Sequence, residues 1–178
     1  MSNLEQTLSI IKPDAVERNL ENEIKEMFKN KGFSIIKEKK IQIEKSEAEN
    51  FYKVHETRPF YNDLCAYLSS GPIVVMVIEK VNAVFGNREL MGATNPNDAE
   101  EGTIRKKYGI SIDKNSVHGS DSVENAKIEI DFFLKIKFEV CISSKNSFSV
   151  LSIKYSWECE WCPMTANSLF SISLIKPL

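Results

Sequence analysis

The seven glycines are thinly spread through 178 residues, and none is followed by lysine, so the chain lacks the loop that closes on Gly-Lys-Ser/Thr around a phosphate. No two glycines stand one residue apart, which also removes the glycine loops of dinucleotide-binding sheets and of protein kinases. Any phosphate site here must be made from side chains and a bound metal. Long apolar runs are missing too. No stretch approaches the roughly 18 residues that a membrane helix needs, and Met1 to Ile11 has neither the basic start nor the apolar core of a secretory leader. The four cysteines then read as free thiols. Cys159-Glu160-Trp161-Cys162 is a C-x-x-C pair standing alone, without the second ligand pair of a structural zinc site. A charge excess is also absent: 23 basic residues face 25 acidic ones, unlike the balance of a general nucleic-acid binder. The expectation is a soluble cytoplasmic protein, with no membrane and no specific nucleic-acid partner.

What is present is globular material, 42% hydrophobic and 27% charged, enough for one domain with length to spare. Thr7 to Lys12 predicts a strand closed by Pro13. Leu20, Ile24, Met27 and Phe28 recur at helical spacing, with Gly32 as the stop. Phe33 to Ile43 reads as a second strand whose charged middle, Lys37 to Lys40, suits a sheet edge. Ser46-Glu47-Ala48-Glu49 has the form of a capping box and predicts a helix starting there and running towards His55. Arg58-Pro59-Phe60 opens another helix, ended by Gly71-Pro72. Ile73 to Ile78 is an unbroken apolar run, expected for a central strand buried on both faces. A helix over 82–91, an irregular segment over 92–109 with a short helix at 103–107, and a short strand near Ser116 to His118 follow. Asp121-Ser122-Val123-Glu124 caps a last helix, expected to finish near Phe133 or Leu134. This order predicts an α/β sandwich of the split βαβ type. From about Phe138 the texture changes to serines and scattered aromatics, which predicts an appended segment over 138–178 after a domain over 1–137.

His118 stands in Asn115-Ser116-Val117-His118-Gly119-Ser120-Asp121-Ser122, a small polar loop entering a helix. An imidazole is a competent nucleophile towards phosphorus and a good leaving group, provided one nitrogen is kept unprotonated. Glu129, two turns into the next helix, is a candidate partner for the other nitrogen. Lys12 sits at a strand end, where α/β sheets open their binding crevice. Arg88 and Arg105 flank the irregular segment with Thr94 between them, a set able to clamp a polyphosphate. A surface-loop histidine and solvated surface cations are the plainer alternatives, and no spacing rule joins these residues without a fold. His55 is expected to face solvent or a helix neighbour.

Taken together, Lys12-Pro13-Asp14-Ala15, Arg58-Pro59-Phe60, Met91-Gly92-Ala93-Thr94-Asn95-Pro96, Gly102-Thr103-Ile104-Arg105-Lys106 and the His118 segment closely resemble the nucleoside diphosphate kinase family, over about residues 4 to 137. The resemblance implies a ferredoxin-like βαββαβ fold, with a small antiparallel sheet covered by helices. It also implies a ping-pong transfer of the γ-phosphate of a nucleoside triphosphate, ATP, GTP or another, to a nucleoside diphosphate through a phosphohistidine at His118. By the same resemblance, Glu129 and Ser120 orient the imidazole, and Tyr52 lies close to the transferred group. Lys12 and Asn115 contact ribose and phosphates, Arg88, Thr94 and Arg105 hold the phosphates, and Phe60 stacks on the base. Mg²⁺ bridges the phosphates, with no protein metal ligand implied, and the assembly is a homo-tetramer or homo-hexamer.

Two departures stand out. Leu20-Glu21-Asn22-Glu23 replaces a turn where the family commonly has glycine, and the segment over 138–178 has no counterpart in the family. That segment reads either as an interaction segment or as sequence translated beyond a frameshift. Two other functions compete: a non-catalytic nucleotide-binding interaction protein, and phosphohistidine transfer to another protein.

Overall fold

The structure, a computed structural model, describes residues 4–143, with side chains as far as residue 135. In chain order the elements are β1 (Leu4–Ile11), α1 (Pro13–Glu17), α2 (Glu21–Asn30), β2 (Ser34–Ile41), α3 (Lys45–Phe51), α4 (Tyr61–Leu68), β3 (Ile73–Val81), α5 (Ala83–Met91), α6 (Ile104–Tyr108), β4 (Val117–Gly119) and α7 (Val123–Ser143). A single 3₁₀ turn, Lys53–His55, links α3 to α4. The four strands form one antiparallel sheet in the order β2-β3-β1-β4. This is the ferredoxin-like arrangement, with the charged strand β2 at one edge and the three-residue β4 at the other.

The alternation of β3 explains why helices cover both faces. Val74, Met76 and Ile78 pack with Ile24 and Phe28 of α2 and Leu90 and Met91 of α5. Ile73 and Val75 face the opposite way, onto Ala48 of α3, Cys65 and Leu68 of α4 and Phe133 of α7. All of these side chains are buried, and each Val, Leu, Ile, Met or Phe among them contributes about 1.5–3 kcal/mol by leaving water.

Several expectations are corrected. The helix expected at Ser46 begins one residue earlier, at Lys45. Its capping box is Glu44 with Glu47, whose carboxylate accepts the Glu44 N–H at 2.7 Å, rather than Ser46 with Glu49. A short helix, α1, follows Lys12 where only a strand end was expected; Pro13 sits in its first turn, where a missing N–H costs nothing. Just before the Leu20–Glu23 segment that departs from the family pattern, Asn19 takes the left-handed conformation (φ 57°), which asparagine adopts more readily than most residues. The last helix runs past Leu134 to Ser143, since neither glycine nor proline occurs between Gly119 and Pro163 to stop it. Ser122 caps that helix by accepting the Asn125 N–H at 3.0 Å. The expected boundary at 137/138 falls within α7. Most of the expected extension, including Cys159, Cys162 and both tryptophans, lies outside the described residues. Among the described residues no helix is long and apolar enough to cross a membrane.

Candidate active site

The site is assembled where β1 and β4 run side by side. Ile10 pairs with His118 and Ile11 with Val117, so the residue that follows β1, Lys12, arrives beside the segment that leads into His118. The Lys12 N–H donates to the Ser116 carbonyl at 2.9 Å and extends this register by one bond.

His118 is one-fifth exposed, and its Nε2 lies 3.3 Å from Glu129 Oε1. Ser120 Oγ donates to the other carboxylate oxygen of Glu129 at 2.6 Å. One carboxylate thus joins the imidazole to a buried hydroxyl. Aromatic edges enclose the ring: Phe51 at 5.3 Å and Tyr52 at 5.8 Å, both T-shaped. Burial, with the nearby charge of Glu129, pushes the Tyr52 hydroxyl well above the ordinary phenol range, so it stays neutral.

Gly119 is dictated by packing. A Cβ there would stand 2.3 Å from Asn87 Nδ2 and 2.9 Å from the Met91 methyl, so only glycine lets β4 lie this close to α5.

The cations come from three directions. Lys12 is buried; its ammonium donates to Asn115 Oδ1 at 2.7 Å and to the Asp113 carbonyl at 3.4 Å. Burial, and after it the charge of Arg105, pull this ammonium down to about 8. Arg105 donates to the Gly92 carbonyl at 2.9 Å and to the Val117 carbonyl at 3.1 Å, while its buried Nε has no partner among the described residues. Its guanidinium is drawn down to about 10 by burial and then by the neighbouring charge of Arg88. Lys12 feels the charge of Arg105 and Arg105 that of Arg88, so three positive groups lie near enough to one another to suit a polyanion.

Asn115 in turn donates to the Thr94 carbonyl at 3.0 Å, tying the irregular 92–109 segment to the same centre. Gly92 (φ 81°) fits the bend that starts this segment, where a Cβ would meet Thr103 Oγ1 at 2.5 Å. Phe60 is half exposed at the rim. The exposed His55 ring stands 6.2 Å from both Phe60 and Tyr52, which continues the aromatic row from His118 outward. Direct contacts thus join Lys12, Asn115 and Thr94 in one set and Tyr52, His118, Glu129 and Ser120 in another; Arg105 bonds to the Val117 carbonyl beside His118, Arg88 is joined to Arg105 through its charge, and Phe60 stands at the end of the aromatic row. Sequence reasoning did not single out Phe51, whose only signal was an apolar position at a helix end. It also passed over Asp14, Arg18, Tyr67 and Ser116, which form a polar cluster beneath Lys12.

Among the described residues there is no group of three or more His, Cys, Asp or Glu side chains able to hold a metal ion.

The family model described as nucleoside diphosphate kinase matches residues 5–138. A nucleoside diphosphate kinase of Campylobacter jejuni is 56% identical over 138 residues, which is 78% of this chain and 100% of that one. One from Geobacter sulfurreducens is 58% identical over 130 residues, 73% of this chain and 95% of its own. The crystal structure of the Aquifex aeolicus nucleoside diphosphate kinase superposes with a TM-score of 0.72 at 38% identity, covering 74% of this chain and 95% of that one. With matches of this extent on top of the sheet order and the histidine-centred site, the chain belongs to the nucleoside diphosphate kinase family.

Proposed function

We propose that His118 carries the phosphoryl group in this enzyme, a phosphotransferase that moves the γ-phosphate of a nucleoside triphosphate to a nucleoside diphosphate through a phosphohistidine. The observation that supports it most is the unequal treatment of the two imidazole nitrogens. Nε2 faces Glu129 at 3.3 Å, and Ser120 holds that carboxylate in place. With the proton on Nε2 and donated to Glu129, Nδ1 keeps its lone pair.

In the first half-reaction the Nδ1 lone pair attacks the γ-phosphorus. The N–P bond forms as the bridging P–O bond breaks, and the diphosphate leaves with that electron pair. Glu129 stabilises the positive charge growing on the ring. In the second half-reaction a terminal oxygen of another nucleoside diphosphate attacks the same phosphorus, and the N–P pair returns to His118. Lys12, Arg88 and Arg105 neutralise the charge on the phosphates in both directions. The buried, neutral Tyr52 offers a hydroxyl beside the transferred group. Lys12 and Asn115 reach the ribose and phosphates, Thr94 the phosphates, and Phe60 gives the base a stacking face that reads no sequence of hydrogen bonds.

With no group of three or more His, Cys, Asp or Glu among the described residues, a Mg²⁺ ion would be held mainly by the phosphates of the nucleotide, where it would supply further neutralising charge beside Lys12, Arg88 and Arg105. A homo-oligomeric, cytoplasmic enzyme of two parts, a kinase domain over 1–137 and an extension over 138–178, completes the proposal.

The test is incubation with γ-labelled ATP and Mg²⁺, followed by a chase with unlabelled nucleoside diphosphate. Acid-labile label should appear on the protein, leave as a new triphosphate, and fail to form on His118→Ala. Undiminished labelling of that variant would remove His118 from the role.

A further inference from the structure

Beneath Lys12 lies a cluster that the proposed chemistry does not use. Asp14, in α1, is buried to 5% exposure, and besides Arg18 at the end of its own helix it bonds to Tyr67 and to Ser116, far along the chain. Its Oδ1 accepts from the Tyr67 hydroxyl of α4 at 2.5 Å, and its own N–H donates to the same Tyr67 oxygen at 3.2 Å. Its Oδ2 accepts from Arg18 at 2.9 Å and from Ser116 Oγ at 3.1 Å. Arg18 also donates to Ser116 Oγ at 3.2 Å and to the carbonyl of Tyr108, the last residue of the helix α6 that bears Arg105, at 2.8 Å.

Ser116 is the unusual member. It is fully buried, and it holds a left-handed backbone (φ 68°) that a serine adopts only when its surroundings impose it. Ser116 separates Asn115, the anchor of Lys12, from Val117 and His118. Its carbonyl accepts the Lys12 N–H at 2.9 Å. The bend at Ser116 therefore sets how far the nucleophile stands from the clamp, and the Asp14 carboxylate is what its side chain is tied to.

We propose that Asp14 is a positioning residue of the phosphoryl-transfer site. Through Ser116 and Tyr67 it fixes the junction from which Lys12, Asn115 and His118 project, and its negative charge supports the Lys12 ammonium. This rests on the reading of His118 and Lys12 given above. The Lys12 ammonium also lies 5.9 Å over the Tyr67 ring, so one tyrosine touches both the anion and the cation. The charged groups facing Lys12 are Arg105, which works against its protonation, and Asp14 and Asp113, which work for it. Removing the charge of Asp14 leaves Asp113 alone against Arg105.

The experiment measures the rate of phosphoenzyme formation from γ-labelled ATP and Mg²⁺, between about pH 6 and about pH 9.5. It compares the full chain with Asp14→Asn and Tyr67→Phe. Asp14→Asn keeps the shape and one acceptor but loses the charge. Its labelling should fall, and the alkaline limb of its kcat/KM profile should move to lower pH by on the order of half a unit. Tyr67→Phe keeps the charge, so its labelling should slow about threefold to tenfold with the alkaline limb unmoved. If Asp14→Asn does not fold, the Tyr67→Phe rate decides alone. A lower melting temperature with wild-type labelling and profile would make the cluster a folding device and overturn the inference. Failure of the unaltered chain to label would instead strike the reading of His118, and so is distinguishable.

Discussion

Lys12 is a cation held where water would serve it better. Its ammonium is drawn from 10.5 to about 8 by burial and by Arg105, so the folded protein binds that proton less readily than the unfolded chain does. Between about pH 8 and the unperturbed 10.5 the unfolded state therefore holds the extra proton, and raising the pH favours the folded state. Stability is thus depressed at neutral pH. Melting curves of the wild type and Lys12→Met from about pH 7 to about pH 10 check this. The wild type should gain relative to the variant as pH rises, by up to about 2 to 3 kcal/mol in all. A constant gap between the two curves would mean that Lys12 is not carrying a buried charge. Lys12 and His118 could be picked out in the sequence because a strand end and a polar loop before a helix are local features. Tyr52, Asn115, Ser120 and Phe60 came only from family resemblance, since their approach depends on contacts far apart in the chain. Asp14 stands in the Lys12-Pro13-Asp14-Ala15 motif with no role implied for it, and Phe51 shows only as an apolar position at a helix end.

Elements show the same division between local and distant causes. Strand β3 could be read from its sequence because an unbroken apolar run meets the demand of two buried faces, and β2 because its lysines suit an edge. The start of α3 is hard to read because a glutamate is an uncommon N-cap, so the better-known Ser46 pattern points to a cap two residues too late. α1 has five residues, too few to show a period. At the other edge, β4 is only three residues long, and its place is set from outside by α5. Gly119→Ala should destabilise by about 1–3 kcal/mol through overpacking, and it should slow labelling because His118 is the adjacent residue. Adding Asn87→Gly should return part of both losses, since Asn87 Nδ2 is the nearest obstacle. Strictly additive effects in the double variant would place the cost of Gly119→Ala somewhere other than this contact.

At the scale of the whole molecule, every residue of the proposed site lies between Lys12 and Glu129, and the family match ends at residue 138. A chain ending after Ser143 should accordingly be labelled at the wild-type rate, within about twofold. A loss of tenfold or more would assign a catalytic part to residues 144–178. The nucleophile itself belongs to a strand hydrogen-bonded into the sheet, in register with β1, and not to a mobile lid. Such a histidine does not travel from a donor station to an acceptor station. The two nucleotides must visit the same place in turn, meeting the same cations in the same positions. By microscopic reversibility the protein then has no inbuilt preference for giving or receiving, and the direction of net flow is left to the relative abundance of the nucleotides around it.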